Sequence, residues 1–296
     1  MGLLKGRLGL ETARIPHADR HGLLSLSRGK LYVEDGTLRF KTAGHEEMRS
    51  GDYAIPFQGI SNILLGPGGS VTHDALRLLA RHGTGLIAVG DDGVRFYASM
   101  PFGPDDSALA RQQILAWSDA DGKRLDVARR MYAWRLGEIL PHKDIAVLRG
   151  IEGARMKSMY EMLGKQYRIA WRGRRYDRSK PEDTDLPNQA INHAATAVEA
   201  AAMIAVASTG TLPQIGFIHE HSGNAFCLDI ADLFRDSVTI PVAFSAVGEL
   251  LQKGLPDIEY AVRTKMGRAL REKQIVSHMI DHIKELFDEH DGSRNS

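Results

Sequence analysis

Cysteine is nearly missing from this chain. Cys227 is the one thiol among 296 residues, which excludes an internal disulfide and any metal site built wholly of cysteine, and suits a reducing compartment. An excess of charge of one sign is missing too: 38 lysines and arginines face 37 aspartates and glutamates, leaving a net +1. Any surface that binds a polyanion must therefore come from local clustering of charge. No uninterrupted apolar run approaches the roughly 18 residues of a membrane span. The opening Met1-Gly2-Leu3-Leu4-Lys5-Gly6-Arg7 lacks the apolar core of an export signal. The expectation is a cytoplasmic chain with no membrane association. Internal repeats and low-complexity tracts are absent as well. At 43% hydrophobic and 25% charged, the length suits one large domain or two modest ones, and two are expected.

The first third carries strand signals. Gly29–Phe40 alternates apolar and polar residues around Asp35-Gly36, a strong hairpin turn. A second hairpin is expected from Gly85–Gly90 and Val94–Ala98, joined through Asp91-Asp92-Gly93. Between them Thr72 can cap a short helix running to His82, with Gly83 at the C-terminal stop. The Gly66–Gly69 run reads as a turn, since it lacks the lysine and helix entry of a phosphate-binding loop. Residues 99–107, with two prolines and a glycine, read as a linker. Beyond it the period changes: Leu125, Ala128, Tyr132, Leu136 and Ile139 share a helical face, and Ala194–Ala207 is almost all small and apolar, as in a helix buried on most sides. Tyr176–Pro187 reads as a hydrophilic surface loop. The expected fold is α+β: an N-terminal β-rich dimerisation domain over residues 1–98, the linker, a mostly α-helical catalytic domain over 108–287, and a flexible tail from 288 to 296.

Two short motifs carry chemistry. Gly216-Phe217-Ile218-His219 and Asp229-Ile230-Ala231-Asp232 bring a histidine and two carboxylates near one another, and Gly150-Ile151-Glu152-Gly153 offers a further acid upstream. Mixed carboxylate and imidazole donors suit Mg2+ or Mn2+. Between Arg149 and Arg178, nine arginines and lysines face only Glu152, Glu161 and Asp177, so a cation beside this basic stretch points to phosphate chemistry. Such a surface binds a phosphate backbone with steep salt dependence and little sequence preference. Each element has a plainer reading: Glu152 as a surface carboxylate in a turn, His219 as a structural histidine with His221 as a rival ligand, the arginines as a solvated face. Tyr160 and Tyr167 read as core residues, and His17, His21, His73 and His82 as incidental.

Taken in order, Leu148–Arg155, Lys165-Gln166-Tyr167, Trp171–Asp177, Gly216–His219 and Asp229–Asp232 resemble the CRISPR-associated spacer-acquisition integrase and endonuclease, CRISPR-associated protein one, in its subtype I-E branch. The resemblance implies metal ligation by Glu152, His219 and Asp232. Asp229, one helical turn before Asp232, is cast as a support for the site. It further implies DNA contacts at Arg95, Arg149, Lys157, Arg174 and Arg235, double-stranded and branched DNA as substrates, a homodimer, and CRISPR-associated protein two as partner in a larger integration complex. The implied reaction is attack by a 3′-hydroxyl on a phosphodiester, inserting foreign DNA fragments as spacers into a repeat array. Where some relatives place a tyrosine in the helix from Asn188 to Ala207, this chain offers Glu199, which disfavours a tyrosine-based mechanism. The segment after Leu286 is also short. The competing functions are a structure-selective phosphodiesterase acting on branched DNA and a non-catalytic DNA-binding scaffold.

Overall fold

The computed structural model describes residues 22–45, 48–99, 108–118, 122–175, 184–253 and 257–287. The expected linker beyond Ser99, the tail from 288, the first eight residues of the Tyr176–Pro187 loop, and His17 and His21 lie outside these. The described residues divide into two compact units, one drawn from residues 22–90 with 97–99 and one from 91–96 with 108–287.

The first unit is β-rich, as the sequence suggests. Its strands are β1 (Leu23–Leu26), β2 (Gly29–Glu34), β3 (Thr37–Thr42), β4 (Gly51–Ala54), β5 (Asn62–Leu65), β6 (Ser70–Val71), β7 (Gly85–Val89) and β8 (Phe96–Ser99), with helix α1 (His73–His82) before β7. They form two four-stranded sheets, ordered β1-β5-β7-β8 and β4-β3-β2-β6. β2 and β3 are the expected hairpin: Glu34 opposes Thr37 across a turn in which Asp35 (φ 48°) and Gly36 (φ 75°) are both left-handed, the backbone of a type I′ turn. Alternation then decides which face is buried. Leu31 and Leu38 reach the core together with Phe40, the cross-strand partner of Leu31. The Thr72 hydroxyl accepts from the Ala75 N–H, and Gly83 (φ 65°) ends α1, placing Ala75 and Leu79 in the same core.

The second unit holds α2 (Ala108–Ser118), α3 (Lys123–Leu136), α4 (Ile145–Tyr167), α5 (Leu186–Thr209), α6 (Ala225–Asp232), α7 (Ile240–Lys253), α8 (Ile258–Glu272) and α9 (Ile275–Phe287), with a wide π turn at Arg235–Thr239. α5 runs through the middle and packs against α6, α7, α8 and α9. Its small residues let four neighbours approach closely: Ala194, Ala201, Ala202 and Ala205 are fully buried. It is the one described helix long and apolar enough to cross a bilayer, and here its surface is spent on protein neighbours. Asp185 caps it through the Asn188 N–H and Pro187 lies in its first turn, so the helix starts before the expected loop ends.

Helix α3 differs from its sequence reading. Its buried residues are Val127, Ala128, Met131 and Tyr132, so Ala128 and Tyr132 of the expected face reach the core, while Leu125 and Leu136 are half-buried beside it. Gly137 (φ 71°) stops the helix, leaving Ile139 outside it and 86% exposed. The apolar periodicity had continued across a glycine that ends the helix.

Ala201 is fully buried in the core helix. Ala201→Leu is expected to destabilise the protein by about 1–3 kcal/mol through overpacking, measured by urea unfolding, whereas the exposed Thr196→Leu on the same helix is expected to stay within about 0.5 kcal/mol.

Candidate active site

Four chain segments meet around a cavity of about 360 Å³ in the helical unit: α3, α4, the loop at 216–219, and α6 with the residues that follow it. Its walls include Tyr132, Arg135, Arg149, Glu152, His219, Asp229, Asp232 and Arg235, with Met131, Ile218 and Leu233 as the apolar part.

Glu152 lies in the middle of a helix and not in a turn. Asp144 caps α4 through the Ala146 N–H (2.8 Å), and Leu148, Met156 and Tyr160 bury one stripe of it. Glu152 sits on that same i, i+4 stripe between Leu148 and Met156, a carboxylate where the helix otherwise buries carbon. Burial raises its pKa, and nearby Asp232 pushes the same way; the Arg135 guanidinium opposes both without cancelling them.

The histidine loop is built on Asp229. This side chain, on α6, is 1% exposed and accepts from the backbone N–H groups of Phe217 (2.6 Å), Ile218 (3.1 Å) and His219 (2.9 Å). It also accepts from Nδ1 of His219 at 2.7 Å. Gly216 is needed where the loop doubles back, because a β-carbon there would collide with the His219 carbonyl and with Ala225. Phe217 anchors the turn in the core, against Phe226 and Phe287. With Nδ1 committed, Nε2 is the free nitrogen of His219, and it lies 3.8 Å from an Asp232 carboxylate oxygen. A carboxylate behind a histidine fixes both tautomer and ring direction, as behind metal-ligating imidazoles. The Asp229 hydrogen bond raises the His219 pKa, outweighing the opposing effect of burial.

A cation of the chain's own already stands among the acids. Arg135, its side chain only 5% exposed, reaches Glu152 at 2.7 Å, Asp236 at 3.4 Å and Asp232 at 3.7 Å. On the other side of Asp232, Arg235 pairs at 3.2 Å; although burial works against its charge, Asp232 and the Tyr160 hydroxyl keep it firmly protonated. Among the described residues, no three His, Cys, Asp or Glu side chains are already spaced to hold an ion. The donor set itself fits a divalent cation: two carboxylates and a free imidazole nitrogen face one polar cavity, with the imidazole oriented from behind.

The structure thus brings together Glu152, His219, Asp229, Asp232, Arg149 and Arg235. Arg149 donates to the Ile218 carbonyl at 2.6 Å and so joins α4 to the histidine loop. The other expected DNA contacts do not line the cavity: Arg95 pairs with Glu259 at 3.0 Å, Arg174 donates to Asn188 and Asn192, and Lys157 is on the exposed side of α4. His221 is exposed and absent from the cavity wall. Sequence reading missed Arg135 and Asp236, and placed Tyr132 only on a helix face, without seeing that it lines the cavity. A signal for Arg135 existed, since it continues the buried Ala128, Met131, Tyr132 face of α3 at helical spacing.

Comparison with known proteins bears on this arrangement. The family described as CRISPR associated protein Cas1 matches residues 23–141 and 132–275. The chain is 36% identical over 275 residues to the CRISPR-associated endonuclease Cas1 of Geobacter sulfurreducens, covering 92% of this chain and 86% of that protein. Against the CRISPR-associated endonuclease Cas1 of Escherichia coli K12 it is 35% identical over 275 residues, covering 92% and 87%. Among solved structures, a TtCas1–DNA complex superimposes with a TM-score of 0.81 at 30% identity, covering 92% of this chain and 98% of that one. A casposase bound to an integration product shares the fold, with a TM-score of 0.64 at 18% identity over 90% and 96% of the two chains.

Two outcomes follow from the geometry. Asp229→Ala strips partners from three backbone N–H groups and an imidazole, and is expected to cost about 3 kcal/mol or more in chemical denaturation, well above Asp232→Ala. Because the folded pKa of His219 lies above its unfolded value, its bond to Asp229 contributes fully below the unfolded pKa and fades as pH rises through the folded one. The loss of stability from His219→Ala in metal-free buffer should therefore be greater at about pH 5 than at about pH 9.

Proposed function

Because this chain belongs to the CRISPR-associated Cas1 family, whose relatives above are named endonucleases, we propose that the cavity breaks and rejoins phosphodiesters in DNA with the help of Mg2+ or Mn2+. The observation that carries the reading is the meeting of Glu152, His219 Nε2 and Asp232 at one cavity, with Asp229 fixing the imidazole from behind. Those three would hold the ion, once Glu152 turns from Arg135 toward it. When bound, it supplies positive charge against the negative charge that builds on phosphate oxygens during attack.

The chain's own residues supply the remaining parts. Arg149 keeps one guanidinium nitrogen on the Ile218 carbonyl, which holds its charge at the cavity mouth, where a backbone phosphate can meet it. Gly150 and Gly153 are exposed in mid-helix beside Glu152, and a β-carbon at either would meet nothing within 4 Å. Glycine costs a helix about 1 kcal/mol relative to alanine, and no packing in the chain asks for it here; a bare helix face leaves room for a bulky polymer to come close. Cys227 is no nucleophile, its thiol pushed up to about 12 by burial.

In the integration reaction, the oxygen of a 3′-hydroxyl forms a new bond to phosphorus as the bond to the departing 3′-oxygen breaks in line. The attacking hydroxyl gives up its proton and the departing oxygen gains one, so no redox partner or covalent protein intermediate is needed. With water as attacker the same cavity acts as a nuclease, and the transfer run backwards releases an inserted fragment. The proposed setting is the adaptation machinery, inserting foreign fragments as spacers into a repeat array, with a homodimer of this chain joined by CRISPR-associated protein two. The TtCas1 relative caught on DNA supports the substrate class.

Glu152→Ala and Asp232→Ala should each remain folded and bind DNA, yet join a duplex fragment with free 3′-hydroxyls to a repeat-bearing plasmid at least about a thousandfold more slowly in Mn2+. Joining at the wild-type rate by both would remove the site from the reaction. Cleaved fragments without joined product from the wild type, with the partner present, would restrict the activity to hydrolysis.

A further inference from the structure

Tyr132 is a large side chain that the fold has buried and then left incomplete. It lies on α3, one turn before Arg135, and is 2% exposed. Its ring helps to line the cavity with Glu152, His219 and Asp232. Its hydroxyl, buried like the ring, has no partner at good hydrogen-bond geometry among the described groups; the Arg149 guanidinium approaches its oxygen as a donor, which leaves the phenolic proton without an acceptor. Buried hydroxyls nearly always find a partner, and one without a partner is a cost that phenylalanine would avoid in the same space.

The neighbours of this hydroxyl point to what it is for. The charges of Glu152, Arg149 and Arg135 all reach it. Glu152, the nearby acceptor, is taken by Arg135 at 2.7 Å, and Arg149 is anchored on the Ile218 carbonyl at 2.6 Å. The phenol is thus a neutral donor near two anchored guanidinium groups and the acids of the cavity. An anionic oxygen entering there would find one uncharged and two charged donors already in place, at little reorganisation cost. Cation neighbours and a phenolic proton without an acceptor suit a phosphate oxygen.

We propose that Tyr132 is a catalytic residue that donates its hydroxyl proton in a hydrogen bond to a non-bridging oxygen of the phosphodiester under attack. This rests on the phosphodiester reading of the cavity given above. The phenol acts as a donor throughout and forms no bond to phosphorus: burial and the charge of Glu152 raise its pKa, so it stays protonated at neutral pH.

Tyr132→Phe tests this with a single-atom deletion and separates function from structure. Wild type, Tyr132→Phe and Glu152→Ala are compared in three measurements: single-turnover cleavage of a labelled branched DNA duplex in Mn2+, affinity for the same duplex in EDTA, and thermal unfolding in EDTA. The expected result for Tyr132→Phe is a melting temperature equal to or above wild type and a DNA dissociation constant within about twofold. Its saturating cleavage rate is expected to be lower by roughly tenfold to a hundredfold. A wild-type cleavage rate in Tyr132→Phe while Glu152→Ala is inactive overturns the proposal and leaves the cavity's assignment intact. A lowered melting temperature, or a rate loss that saturating DNA abolishes, also overturns it, because the hydroxyl is then structural or serves binding alone. Full cleavage by Glu152→Ala overturns the underlying reading of the cavity instead.

Discussion

The buried carboxylate of Asp229 is the constraint on which the site depends. Three successive backbone N–H groups and one imidazole nitrogen converge on its two oxygens, so a loop with no regular structure is held as firmly as a helix end. The same contacts decide which histidine nitrogen is free and which way it faces. Gly216 and Phe217 exist to make the arrangement possible, the first by letting the loop fold back and the second by pinning it in the core. Asp229 and Asp232 share α6 and divide the work: one turns inward to build, the other faces the cavity.

A second constraint is charge. Glu152, Asp232 and Asp236 would repel one another in a partly buried space, and Arg135 meets all three. Removing one partner from such a buried pair is costly because the remaining charge is left without compensation. In the protein alone, then, a guanidinium does for these acids what a divalent cation is proposed to do during reaction. On the proposed reading, binding of the ion would be an exchange: Glu152 would give up one cation for another, while Arg135 would keep Asp236. Such an exchange would reconcile acids that are not yet spaced for an ion with a donor set of the right chemistry.

Much of this was legible in the residues, and the boundary is physical. The β2–β3 hairpin, α1 and the buried α5 follow from local rules: left-handed residues in a two-residue turn, a threonine cap with a glycine stop, a run of small apolar side chains. The acids and the histidine could be picked out as ligand types, and family motifs ranked them. What could not be read was relative placement. Glu152 looked like a turn residue because it sits between glycines, yet those glycines are exposed mid-helix and the glutamate continues a buried stripe. The α3 face was misjudged by extending its apolar period past Gly137. Arg135 went unnoticed because an arginine on a helix is ordinary until its neighbours on that face are known to be buried. The partners of Arg95 and Arg174 lie far away in sequence or beyond a loop, so charge counting could not tell paired arginines from those at the cavity.

The most direct measurement is crystallographic: Mn2+ soaked into crystals of the protein, with anomalous scattering recorded at the manganese edge. The arrangement described here predicts one strong peak bounded by Glu152, Nε2 of His219 and Asp232, with Asp229 still on Nδ1 and Glu152 parted from Arg135. A cavity without manganese at saturating concentration, or a peak elsewhere while Glu152 stays paired with Arg135, would contradict it.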